Sequence, residues 1–138
     1  MSETILWNEL NSEMQLSALW HATRVESHAL SSGIPDVDYC FSGDGHIELK
    51  WGFVNKKMPE IRDSQIRWIT KRTLVGGKVF ILTKLEHSEG PQYLVHKGDF
   101  VSQLRIGRDY EYWFNNRIND NYWKLDRTEL GKIFAGGR

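Results

Sequence analysis

The run Lys78-Val79-Phe80-Ile81-Leu82-Thr83 constrains the fold more than any other stretch of the chain. Its apolar residues do not alternate with polar ones, which is the pattern of a central strand buried on both faces, so a layer must cover it above and below. A helical stretch precedes it. Glu60 to Leu74 puts Ile61, Ile66, Trp68, Ile69 and Leu74 at apolar positions, with Arg62, Gln65, Arg67, Lys71 and Arg72 among the rest. Gly76-Gly77 ends that helix. Further upstream, two short apolar runs, Val37 to Phe41 and His46 to Trp51, are split by the turn residues Ser42-Gly43-Asp44-Gly45, which reads as a β-hairpin. Hairpin, helix and buried strand in that order predict a right-handed crossover and a mixed sheet.

The remaining elements follow from similar signals. Ser2 to Trp20 reads as helix, capped by Ser2, with Ile5, Leu6, Leu10, Met14, Leu16 and Leu19 at roughly helical spacing. Asn11-Ser12 weakens its middle, so one bent helix or two short ones fit equally. Glu3, Glu9 and Glu13 read as a solvated face. Thr23 to Glu26 is a short extended piece leading into the polar loop Ser27 to Gly33, and Tyr93 to His96 is a further strand. The tail from Gly98 mixes aromatics with bases and is expected to close a small core more than to stack nucleic-acid bases. The single cysteine, Cys40, sits on a predicted strand and reads as a small packed residue. With 138 residues the chain fits one domain, a core of about 3–97 followed by an aromatic and basic extension over 98–138. No apolar run approaches the roughly 20 residues that span a bilayer. The opening Met-Ser-Glu-Thr carries acid where a secretory leader carries base, so a cytoplasmic protein is expected.

Alternation in the hairpin sets Glu48 and Lys50 on one face and Ile47, Leu49 and Trp51 on the other. Asp36, Asp38 and Cys40 likewise share a face. Pairing the two runs brings Asp36 or Asp38 beside Glu48 and Lys50, so that two carboxylates and an ammonium converge. Pro35 stiffens the approach and holds Asp36 at the mouth of the hairpin. Buried without a partner, such a cluster is costly. A divalent cation would compensate: carboxylate oxygens and a backbone carbonyl beside Glu48 are hard ligands suited to Mg²⁺ or Mn²⁺. On pattern alone, solvated charges on the outer face of an ordinary hairpin remain the competing reading.

Formal net charge is zero, which by itself argues against a dedicated nucleic-acid binder. The charge is nevertheless segregated. Up to Glu48 the acids Glu3, Glu9, Glu13, Glu26, Asp36, Asp38, Asp44 and Glu48 face Arg24 alone, whereas Lys50, Lys56, Lys57, Arg62, Arg67, Lys71, Arg72 and Lys78 follow against only Glu60 and Asp63. Carboxylates for a metal next to cations for a phosphate backbone suit a phosphodiesterase. Histidines 21, 28, 46, 87 and 96 lack tight ligand spacing, and the sequence has no nucleophile elbow, P-loop or dinucleotide fingerprint.

Gly33-Ile34-Pro35-Asp36, then Glu48-Leu49-Lys50, then Gln65 in the following helix, resembles the PD-(D/E)xK nuclease superfamily. Within it the pattern is most similar to small stand-alone VRR-NUC-type and phage-encoded nucleases and to archaeal-type Holliday junction resolvases, over residues 3 to 82. The resemblance implies an α/β fold tending to α+β, a restriction-endonuclease-like core with a mixed central sheet flanked by helices. It implies that Asp36, Glu48 and the carbonyl of Leu49 bind Mg²⁺ or Mn²⁺, that Lys50 orients the attacking water or stabilises the pentavalent phosphate, and that Gln65 is an auxiliary polar residue. The family's upstream acid would be Glu26 or Glu3, with Glu9 behind them. Lys56, Lys57, Arg62, Arg67, Lys71 and Arg72 would hold DNA phosphates. The implied protein is a homodimeric, metal-dependent endonuclease for junction, flap or branched DNA. A module of the same fold that binds without cutting, and a nuclease acting on RNA, are the alternatives.

Overall fold

β4, Val79–Glu86, is buried along nearly its whole length, and the other elements are arranged on its two faces. The computed structural model describes residues 2–25, 32–55, 58–106 and 109–136. In chain order the elements are α1 (Glu3–Met14), β1 (His21–Arg24), β2 (Val37–Cys40), β3 (Asp44–Phe53), α2 (Asp63–Leu74), β4, β5 (Gln92–Lys97), a 3₁₀ turn (Gly98–Phe100), α3 (Val101–Ile106), α4 (Tyr110–Asn115) and α5 (Arg127–Gly136). The sheet order is β1-β2-β3-β4-β5. Only β3 and β4 run parallel, joined through α2, so the sheet is mixed and helix-flanked, as expected.

Strand alternation divides the interior into two cores. Val37, Tyr39, Ile47, Leu49, Phe80, Leu82 and Val95 face α1 and α5, against Leu6, Leu10, Met14 and Phe134. Ile81, Leu85 and Leu94 face the other way, with Ile69 of α2, Val101 and Leu104 of α3, and Trp113 of α4. Residues after Gly98 therefore supply buried anchors to both layers.

Three details differ from the expectations. α1 stops at Met14, not Trp20: the chain turns through Gln15, leaving Leu16 and Leu19 exposed. Trp20 then swings inward, stacks on Tyr39 with ring centres 5.7 Å apart and donates its indole N–H to Asn11 Oδ1 at 2.8 Å. Cys40 is exposed, not packed, because it shares with His21, Thr23 and Asp38 a sheet face on which all four lie open. Leu74, expected at an apolar helix position, is 79% exposed at the last turn of α2.

The β5 edge is closed. Asn119 Oδ1 accepts from Val95 N and its Nδ2 donates to Tyr93 O, both at 2.8 Å, so a side-chain amide takes the place of a neighbouring strand. Ile118 N to Val95 O and Tyr93 N to Tyr122 O extend the pairing on either side.

Candidate active site

The β2–β3 register pairs Val37 with Ile47 and Asp38 with His46. One step further, Asp36 stands opposite Glu48 at the mouth of the hairpin. Asp36 is fixed twice: its carbonyl accepts Val25 N at 2.7 Å, and its Oδ2 accepts Leu49 N at 2.9 Å. Gly33 makes the approach possible. Its φ is +71°, and a Cβ there would lie 2.0 Å from the Ser64 carbonyl oxygen, so the chain leading to Asp36 rests directly on the first turn of α2.

That turn delivers Gln65 to the site. Gln65 Nε2 donates to Glu48 Oε2 at 2.7 Å, while Gln65 Oε1 accepts from Lys50 Nζ at 2.9 Å and from the Arg62 backbone N–H at 3.0 Å. Lys50 also donates to the Glu60 carbonyl at 2.7 Å and lies 3.5 Å from Glu48 Oε2. Glu48, Lys50 and Gln65 are all buried. Behind them Ile61, Ile69, Ile81 and Val101 form an apolar wall that excludes water from one side.

The wall governs the electrostatics. Burial, reinforced by the charge of Asp36, pushes the Glu48 carboxyl up to about 8 against the opposing pull of Lys50 and Arg62. Asp36 is also raised, first by burial; its bond from Leu49 N–H opposes this, Glu3 adds to it, and Lys50 and Arg24 oppose it. Glu48 Oε1 is buried and has no hydrogen-bond partner among the described residues. An unpartnered carboxylate oxygen at this depth fits a site meant to receive a cation. Hard oxygen donors from Asp36 and Glu48 match Mg²⁺ or Mn²⁺ in type.

The other expected residues fall in distinct places. Glu3 opens α1, half-buried and close enough for its charge to act on Asp36. Glu9 is elsewhere: its carboxylate takes Lys84 Nζ at 2.8 and 3.0 Å and the Tyr93 hydroxyl at 3.2 Å. Glu13 is engaged by Arg127 at 3.3 Å. Arg62, Arg67, Lys71 and Arg72 are all exposed along α2. Glu26, Lys56 and Lys57 lie outside the described residues. Sequence reasoning did not single out Arg24, whose charge bears on Asp36 and whose guanidinium donates to Thr4 Oγ1 at 2.9 Å. Its signal was present in its being the one base among the acids before Lys50.

A surface cleft of about 490 Å³ between Asp120, Glu129 and Lys132 is on the α5 side and holds none of these groups. The candidate site is instead a tightly packed cluster, with Glu48, Lys50 and Gln65 buried against an apolar wall.

No family model matches the sequence, and no curated protein does. Solved structures do match. A Holliday junction resolvase from the archaeal hyperthermophile Archaeoglobus fulgidus superposes with a TM-score of 0.55 at 15% identity, covering 96% of this chain and 99% of that one. The chain shares the resolvase fold. This likeness takes in the helices after β5 as well as the hairpin, α2 and β4, so the resolvase-like architecture extends past the residues that carry the sequence resemblance.

Proposed function

We propose that the chain is a divalent-metal-dependent endonuclease that hydrolyses phosphodiester bonds in branched DNA such as four-way junctions or flaps, and that it works as a homodimer. One observation carries the reading: Glu48 Oε1, buried and unpartnered, stands beside Asp36 and within a network that already holds Lys50 and Gln65. The fold shared with a Holliday junction resolvase supports the choice of substrate; the homodimer follows from the chemistry proposed, since two active sites cutting paired strands suit a symmetric protein.

In this reading Asp36 and Glu48 hold the metal, joined by the Leu49 carbonyl and by Glu3 or Glu26. Bound there, Mg²⁺ or Mn²⁺ supplies charge to neutralise the scissile phosphate and acidifies the attacking water. The chain's own groups set the geometry. Lys50 donates to Glu60 O and Gln65 Oε1 and turns its remaining donor toward Glu48 Oε2, 3.5 Å away. That holds the ammonium against the acid that would bind the metal, where a water or phosphate oxygen would compete for it. Gln65 keeps Glu48 and Lys50 in register with α2. Arg62, Arg67, Lys71 and Arg72 hold flanking phosphates, a mode of binding that carries affinity and salt dependence more than base specificity.

The test is a panel of labelled linear, flap and four-way-junction DNAs incubated with Mg²⁺, Mn²⁺ or EDTA. Cleavage with either metal and none in EDTA is expected, lost in Asp36→Ala with the fold retained. Intact substrates throughout, or an Asp36→Ala protein as active as the parent, overturn the reading; sedimentation of the free protein checks the dimer.

A further inference from the structure

Beyond the site described, contacts between β3 and α2 continue in the direction away from Lys50. Glu48 and His46 point the same way from β3 and are two residues apart, a separation of about 6.6 Å along a strand. On the facing helix Gln65, Trp68 and Arg72 stand three and four residues apart and so form one stripe. The first rung of this ladder is Glu48 with Gln65. The second is His46 with Trp68, whose rings meet edge to face at 5.1 Å and 71°. Beyond it, the Arg72 guanidinium lies on the Trp68 ring, 4.5 Å from its centre.

Arg72 is exposed, yet it does not extend freely into solvent. Its stem runs so close to Gly77 that a Cβ there would come within 2.4 Å of Arg72 Cδ. Held by Trp68 on one side and glycine backbone on the other, the guanidinium surrenders little rotamer freedom on meeting an anion. No carboxylate pairs with it among the described residues. Asp38, Asp44 and Arg72 are all within electrostatic reach of His46, and Lys78 Nζ lies beside Gly43 at the end of the hairpin.

We propose that Trp68 and Arg72 form a second subsite, in which Arg72, laid on the indole, holds the backbone phosphate next to the scissile one on the strand being cut. The proposal rests on reading Asp36 and Glu48 as a nuclease site, and it assigns two positioning residues to that site. A planar fork on an aromatic shelf takes a phosphate through two parallel N–H donors, which an ammonium cannot reproduce. The contact forms with the bound strand and persists through cleavage, so it acts on binding more than on the chemical step.

The experiment measures binding of a fluorescein-labelled four-way junction and of a labelled single strand in EDTA across a salt series, then steady-state cleavage of the junction with Mg²⁺. Arg72→Ala is expected to weaken binding about tenfold and to reduce the slope of log affinity against log salt by about one. KM should rise with kcat unchanged. Trp68→Leu should give most of the same loss, the double variant little more than either alone, and Arg72→Lys only partial recovery. Lys132→Ala, which removes an equal charge on the α5 side, should change none of these. Arg72→Ala with the parental affinity, slope and KM overturns the subsite, as does full recovery by Arg72→Lys. If the parent binds DNA and responds to Arg72→Ala but never cuts, the nuclease reading falls and with it the subsite as a neighbour of a scissile phosphate, leaving only a phosphate contact at Arg72; if it binds no nucleic acid, both fall.

Discussion

Gln65 donates its amide N–H to Glu48 Oε2 at 2.7 Å, which ties the first turn of α2 to the buried acid of β3. The same side chain also accepts from Lys50 and from the Arg62 backbone. Gln65→Ala therefore strips one partner from each of two buried charged groups and one from a helix N-terminus. A loss of about 1–3 kcal/mol in urea unfolding is expected, with cleavage reduced roughly 10–100-fold, the usual effect of removing a partner that orients metal ligands. Gln65→Glu is expected to fold poorly without metal, since it sets a third carboxylate against Glu48 and Asp36.

Glu48 gives the metal-free protein an unusual pH response. Its carboxyl is held at about 8 in the fold, against 4.5 ordinarily, so the folded state binds the proton more tightly than the unfolded one. Its contribution is thus present in full below about 4.5 and is lost as pH rises to about 8. Urea midpoints measured in EDTA should fall over that window, and Glu48→Gln should remove the fall and be more stable than the parent above it. Mg²⁺ should reverse the trend, because binding expels the proton and its apparent affinity climbs with pH.

His96 has the opposite sign. It is fully buried beneath Trp113, and its Nε2 donates to the Trp113 carbonyl at 2.7 Å, which leaves Nδ1 without a partner among the described residues. Burial, against the pull of that carbonyl, pushes its ring down to about 4 from 6.5. Stability is therefore present above 6.5 and lost as pH falls through 4. His96→Gln should flatten the acid limb of the stability profile while leaving the Glu48 limb in place.

Glu3 and Glu9 separate cleanly by experiment. Glu9 holds Lys84, whose side chain is only 10% exposed, so Glu9→Gln should cost about 1–3 kcal/mol of stability and leave cleavage per folded molecule unchanged. Glu3→Gln, which removes the charge acting on Asp36, should do the reverse: little change in stability, cleavage that needs a higher metal concentration, and a slower rate. Unfolding and metal titrations on the two variants check the pair.

Gly33→Ala should disturb the site from outside it. The new methyl group would enter the Ser64 carbonyl, and a φ of +71° strains any side chain. Destabilisation beyond about 1 kcal/mol is expected, accompanied by lower activity, because the segment that carries Asp36 must lift from α2. Thermal unfolding and cleavage rates measure both.

The parts of this arrangement that sequence made legible are those set by short-range periodicity. Alternation of Val37 and Tyr39 with Asp36 and Asp38, and of Ile47 and Leu49 with Glu48 and Lys50, is enough to put the acids and the lysine on one face. The unbroken apolar run of β4 likewise announced a central strand. What escaped was decided by distant partners. Glu9 looked solvated until Lys84, 75 residues on, closed over it. Cys40 looked packed, but whether a strand face is covered depends on where the helices fall, and none of its own neighbours in sequence records that. The end of α1 was set by Trp20 finding Tyr39, a contact between elements that no local signal encodes.

Asn119 has a consequence for how copies of the chain can assemble. A strand edge already saturated by a side-chain amide offers no template for another strand, so sheets cannot be joined end over end through β5. Among the described residues, β1 is the remaining strand edge of the sheet. Pairing one β1 with another is its own mirror in function, an isologous contact that uses up the last edge of both partners and closes at two copies. The same amide that finishes the sheet thus denies strand-by-strand growth at β5, and a sheet that adds strands at one end only cannot propagate through its strands.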